Sequence, residues 1–295
     1  MPTIIIGILE EGLAYGILAL GVYITYKILD FPDLSVDGTF PLGGAVTVAL
    51  ISSGVNPLIA LLASFLIGAF AGMITGIIHV KFKVRDMLSG IIMMTGLYSI
   101  NLRIAGSANV AIFTRDSIFD NGFVDRVVPE SFRPYLVVTV LSVLVIVMKI
   151  LLDLYLKTRS GYLLRAVGDN EVVVTSLAKD KGTMKIIGLS IANAFVAMSG
   201  GIFVQRNGFF EISIGTGALV AGVASVIIGI NLLGKVSFLK ATTTVIIGSI
   251  LYKACVQIAI TFGLVSQDRK LVTAILFLII LVASNERKRS VKAHA

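Results

Sequence analysis

Eight or nine apolar runs, each roughly 14–26 residues long, follow one another along the chain with only short polar breaks between them. They fall near residues 3–28, 40–53, 57–80, 87–105, 134–157, 185–205, 217–233, 238–262 and 271–284. At 1.5 Å per residue, about 20 such residues cross the ~30 Å hydrocarbon core of a bilayer as a helix. The chain therefore reads as an all-α, polytopic membrane protein with eight to nine transmembrane helices. Charged residues make up 14% of it and hydrophobic residues 56%, against about 25% and 45–50% in soluble domains. So few charges could not cover a soluble core of this size. Residues 1–295 read as one transmembrane domain, and any soluble catalytic, ATP-binding or receptor activity must belong to a partner.

The net charge of +8 reports orientation before anything else in such a chain, and no nucleic acid is expected as a partner. Lys157, Arg159, Arg165, Lys179, Lys181 and Lys185 form one basic cluster, Lys81, Lys83 and Arg85 a second, and Arg287, Lys288, Arg289 and Lys292 a third. All three are expected in the cytoplasm, which makes the C-terminus cytoplasmic. Residues 107–133 carry a net charge of −1 and fit the outer face. Nine crossings place the N-terminus outside; a re-entrant 40–53 would place it inside. Runs 40–53 and 271–284 reach only about 21 Å as helices, so they must be extended, tilted or buried in protein. The opening segment carries Glu10 and Glu11, has no basic start or small-residue cleavage pattern, and reads as a retained first helix.

No catalytic or metal-binding constellation is expected. The lone Cys255 lies in an apolar run and reads as a packing residue, His79 and His294 cannot make a metal site between them, and no G-x-x-x-x-G-K-[ST] is present. No cofactor is expected on this chain. The polar residues at membrane depth carry the interest. Lys149 and Asp153, four apart, are expected to pair, and Arg103 and Lys240 to snorkel or pair. Glu10, Glu11 and Lys253 are candidates by position.

Phe31-Pro-Asp33-Leu-Ser35-Val36 and Phe209-Phe-Glu211-Ile-Ser213-Ile214 share one pattern, each after a long run and before a short Gly-rich one. They suggest an inverted repeat, with each motif capping the start of a broken helix. On this reading Asp33, Ser35, Asp37, Glu211 and Ser213 line a translocation pathway. Met94, Tyr98 and Asn101, on one helical face, are added to it. Gly68, Gly72 and Gly76 form a small-residue face for close helix contact. An ion-coupled secondary transporter, using Glu10, Glu11, Asp33 and Asp37 as ion sites, is the alternative.

The basic loop at about 158–184 holds Arg165-Ala166, Gly168 and Asp169-Asn170-Glu171, and a short amphipathic helix is expected near 169–178. The next run ends Met198-Ser199-Gly200-Gly201. These residues resemble the loop motif R-A-x-G-x-N-x-x-A-A-x-x-x-G-I of permease subunits of ABC importers of the branched-chain amino-acid and ribose type. The resemblance extends nearly end to end. Asp33-Leu-Ser-Val36 looks like the ribose type's signature at the same place, and Leu88 to Asn101 looks like permeases paired with tryptophan/tyrosine-type binding proteins. Val173 and Val174 replace the family's paired alanines, and Ala178 stands for its loop glycine, with Gly182 four residues later. The resemblance implies import of a small polar solute, an amino acid and possibly an aromatic one, across the cytoplasmic membrane. It implies a permease homodimer served by cytoplasmic ABC ATPase subunits, which bind the ATP, and by an extracytoplasmic binding protein. Arg165, Gly168, Asp169, Asn170, Glu171, Ala178 and Gly182 would form the loop that docks on the ATPase.

Overall fold

The computed structural model describes residues 2–169, 181–234, 236, 239–261, 271, 273–275 and 277–282. In chain order the helices are α1 (Pro2–Val22), continued by a π-helical turn over Tyr23–Ile28, α2 (Val36–Ser52), α3 (Pro57–Val80), α4 (Asp86–Ala105), α5 (Gly122–Val127), α6 (Arg133–Leu156), α7 (Arg159–Asp169), α8 (Lys181–Asn207), α9 (Ala218–Leu233), α10 (Ala241–Thr261) and α11 (Thr273–Val282). A two-stranded antiparallel ribbon pairs β1 (Asn109–Ala111) with β2 (Phe209–Glu211), Val110 opposite Phe210. Among the described residues, seven helical spans are long and apolar enough to cross a membrane; α2 and α11 are shorter. Each expected run is a helix, with ends moved by a few residues.

Local chemistry sets several of these ends. Pro57 opens α3 because its missing N–H costs nothing there, and the Asn56 side chain accepts from the Leu58 N–H at 2.9 Å. Gly106, at φ +81°, closes α4 in the left-handed conformation. α2 starts four residues before the expected run, and most of its side chains are buried. Its shortness is resolved by enclosure in protein.

α8 is the central helix: 72% of its apolar window is buried, against 28% in α4 and α6. α3 runs antiparallel to it through the expected small-residue face. A methyl on Gly68, Gly72 or Gly76 would strike Asn193, Leu189 or Ile186. Lys149 pairs with Asp153 at 3.0 Å as expected, and Lys240, just before α10, and Thr242 in its first turn join the same carboxylate at 3.0 and 2.7 Å. Cys255 differs from expectation: it lies on the exposed face of α10, not in the packing.

The contacts also order the two ends of the bundle. At the basic end, Phe31 stacks edge-on with His79 at 5.1 Å, and α7 lies against the last turn of α1. At the far end, β1 meets β2, Arg206 meets Glu10, and the Gln205 side chain donates to the Pro57 carbonyl. α1 thus ends where α3 ends and α4 begins, and α2 runs across to the far end. Helices α1 to α4 thus alternate in direction between the two ends.

Candidate functional site

Two interruptions of the helical bundle carry the site. The first is residues 29–35. The π-helical turn ends when the Leu29 and Phe31 N–H groups donate to Ile24 and Thr25 carbonyls, both at 2.9 Å, and Asp30 turns the chain at φ +50°. Asp33 follows, with no exposed surface. Its Oδ1 accepts from the Ser35 N–H at 2.9 Å and its Oδ2 from Asn193 Nδ2 at 2.8 Å. Ser35 Oγ donates to Asn193 Oδ1 at 3.3 Å, and Asn193 Nδ2 also reaches the Leu189 carbonyl at 3.1 Å. Three polar side chains, buried together, tie the break to the middle of α8.

The second interruption returns from the far end over residues 208–217. Its first residues, Phe209–Glu211, pair with β1 at the far end, whereas Phe31 of the first break meets His79 at the basic end. The capping expected of the two motifs is not found. Ser35 sits at the N-cap of α2 in helical conformation without a side-chain cap bond, and its hydroxyl is taken by Asn193. Glu211 and Ser213 hydrogen-bond each other, four or more residues before α9 begins. The cap on α9 is instead Asp37, whose carboxylate accepts from the Gly217 and Leu219 N–H groups at 3.1 and 2.8 Å. The first turn of α2 thereby holds the start of α9, so both helices begin inside the bundle and against each other.

We expect Asp37→Ala to loosen α9 by about 0.5–2 kcal/mol, the usual worth of a cap. Transport by Asp37→Ala should fall several-fold while membrane expression stays within twofold of wild type; equal losses in both would contradict a role confined to this junction.

The face proposed on α4 divides. Asn101 is buried and donates to the Gly38 carbonyl at 3.0 Å, Met94 is half-buried, and Tyr98 is 53% exposed on the outside of the chain. The buried face of α4 passes through Gly90, Met93, Leu97 and Asn101, one helical row away from Met94 and Tyr98.

At the far end, four charges assemble at membrane depth. Arg206 donates from Nε and Nη2 to Glu10 at 3.0 and 2.8 Å and lies 3.8 Å from Glu11. Lys253 lies 3.3 Å from Glu11 and 3.4 Å above the ring of Tyr15. Arg206 escaped attention in the sequence because it follows the apolar run and looks like an ordinary flanking charge. Only the position of Glu10 across from it gives it a partner.

At the basic end, α7 begins with the Thr158 hydroxyl accepting from the Gly161 N–H at 3.2 Å. Leu164 and Val167 are buried, Arg165 is exposed, and Gly168 touches the Ile28 carbonyl so closely that a methyl has no room. A helix over 159–169, with Thr158 as its start signal, is what the described residues show; the helix expected near 169–178 lies outside them beyond Asp169. Asn170, Glu171 and Ala178 lie outside the described residues. Gly182 is buried in the first turn of α8. No group of three His, Cys, Asp or Glu side chains among the described residues could hold a metal ion.

The family described as branched-chain amino acid transport system / permease component matches residues 4–283. A tyrosine transport system permease protein of Clostridioides difficile is 43% identical over 281 residues, covering 95% of this chain and 91% of its own length. An uncharacterized protein of Rickettsia prowazekii is 31% identical, with 95% and 97% covered. The ribose import permease protein of Escherichia coli is 25% identical, with 95% and 85% covered. No solved structure gives a significant match.

Proposed function

Because the chain belongs to the family of branched-chain amino acid transport system permease components, we propose that it carries an aromatic amino acid across the cytoplasmic membrane, two copies forming the pathway. The chain is a permease subunit of an ABC-type importer for a small polar solute, working with ATPase and binding-protein partners. The observation that carries the choice of solute is the 43% identity to the tyrosine-system permease over nearly both full lengths.

The coupling segment of this reading is α7 with the loop after it: Arg165, Gly168, Asp169, Asn170, Glu171, Ala178 and Gly182. Exposed Arg165 faces the partner while buried Leu164 and Val167 hold α7 to the bundle. Gly168 rests on the end of α1, and the break after α1 is tied to α8 through Asp33 and Asn193. A push on α7 therefore reaches α1, α2 and α8 through contacts with no compressible gap between them. Of the proposed pathway residues, Asp37, Met94, Tyr98, Glu211 and Ser213 retain accessible surface for a solute, whereas Asp33, Ser35 and Asn101 are buried and hold the broken helices in place.

The test is reconstitution of the permease with its ATPases and binding protein in liposomes. ATP should drive accumulation of L-tyrosine or L-tryptophan and leave ribose outside. Uptake that needs a proton or sodium gradient and no ATPase would establish the ion-coupled alternative instead. Orientation is checked separately in a Cys255→Ser background, since the native thiol is exposed. Asn121→Cys should react with an impermeant thiol reagent in intact cells, and Lys181→Cys should react only after lysis; early labelling of Lys181→Cys would invert the topology.

A further inference from the structure

A cavity of about 340 Å³ lies between α1, α9, α10 and α11, and a second of about 250 Å³ adjoins it toward the start of α1. The larger is at the lower end of the roughly 300–1,000 Å³ of ligand pockets. Glu11, Lys253 and Gln257 line both, so the Glu11–Lys253 pair stands as a partition between them. Tyr15, Phe203 and Tyr252 give the larger cavity an aromatic wall. Tyr15 lies beneath the Lys253 ammonium and meets Phe203 edge-on at 6.0 Å.

We propose that this partition is a transit site for a zwitterionic amino acid, whose ammonium takes Glu11 and whose carboxylate takes Lys253 while its side chain lies on the aromatic wall. The inference rests on the reading above that the solute is an amino acid, and adds where the chain grips it. The two ion pairs at this end are unequal. Glu10 and Arg206 make a two-pronged contact with both side chains about 15% exposed; Glu11, 37% exposed, meets Lys253 at 3.3 Å and Arg206 only at 3.8 Å. The second pair is the one that can open.

Opening it costs a buried charge its partner, and the chemistry of the solute decides whether that cost is met. An α-amino acid carries both charges on one carbon, so one pair is exchanged for two and no charge is left alone. A sugar returns neither charge, an amine leaves Lys253 without its carboxylate, and a carboxylic acid leaves Glu11 without the shorter of its two ion pairs. The four side-chain charges Glu10, Glu11, Arg206 and Lys253 cancel, so a neutral zwitterion adds no net charge at this depth.

The experiment uses the full importer in liposomes with labelled L-tyrosine. Glu11→Gln takes the carboxylate from Lys253, Lys253→Met takes from Glu11 its shorter ion pair, and each loses transport on either a structural or a binding account. The double variant Glu11→Gln/Lys253→Met strands none, so a structural pair would be relieved by it. As a transit site, the double variant should accumulate tyrosine at least tenfold more slowly than wild type while co-purifying with its ATPases at wild-type yield. The exchange Glu11→Lys/Lys253→Glu keeps a pair but reverses both ends relative to the aromatic wall, and should be equally deficient. Recovery of either double variant to within twofold of wild type would overturn the site. Wild-type importer that accumulates no amino acid would overturn the solute assignment itself, whereas tyrosine uptake unaffected in the double variants removes only the site.

Discussion

Replacing Asn193 by leucine is expected to destabilise the folded protein by about 3 kcal/mol or more, the cost of leaving a buried carboxylate without its partner. Asp33 has no exposed surface, and its Oδ2 meets the Asn193 amide at 2.8 Å. Leucine has the branching and heavy-atom count of asparagine with bulkier methyl groups, so the change removes the polar contacts at the cost of some added crowding. It removes the donor to Asp33 and the acceptor of the Ser35 hydroxyl together. The measurement is the temperature at which half of the detergent-solubilised protein remains monodisperse. Asp33→Leu in the same chain should return most of the loss, because replacing both partners by apolar groups is far cheaper than orphaning one. Asn193→Leu alone within about 0.5 kcal/mol of wild type would show that the network carries little energy, against the cited cost of an orphaned charge.

The second large effect is steric. A methyl on Gly200 would fall on the Phe40 carbonyl, and one on Gly43 would fall on the Ala197 carbonyl, so α2 and α8 touch backbone to backbone at two reciprocal points. Overpacking in a core usually costs about 1–3 kcal/mol because side chains shift rotamer. Here the obstacle is a helical carbonyl with no rotamer, and the helices can only separate. Gly200→Ala should give no monodisperse protein. Gly96→Ala, on the open face of α4 where nothing lies within 4 Å of the added methyl, should be unchanged or slightly more stable, since alanine favours a helix by roughly 1 kcal/mol over glycine. Monodisperse, stable Gly200→Ala would mean that α2 and α8 do not approach as described.

Particular residues show why some of this was readable in advance. Lys149 and Asp153 share a helix face at four residues' spacing, so their 3.0 Å pair is local information. Gly68, Gly72 and Gly76 advertise a contact face by spacing alone, without saying that α8 fills it. Asp37 is the opposite case. It lies in the first turn of α2 and looks like a cap for its own helix, yet it caps α9, 180 residues further along the chain. Ser35 was expected to cap and is instead held by Asn193, which the sequence offered as one polar residue in a long apolar run. α7 was passed over because its start signal, Thr158, sits in a loop read for charge rather than for capping.

By itself the sequence determined where the apolar helices fall, their order and which of the breaks between them are basic. These follow from hydropathy and basic residues, which act residue by residue against a slab of fixed thickness. Only the tertiary structure decided which polar groups are fastened inside protein and which border space. The fate of a charge at membrane depth depends on the one group placed against it, and Asp33 finds Asn193, Glu10 finds Arg206 and Glu11 finds Lys253 on helices the local sequence cannot specify.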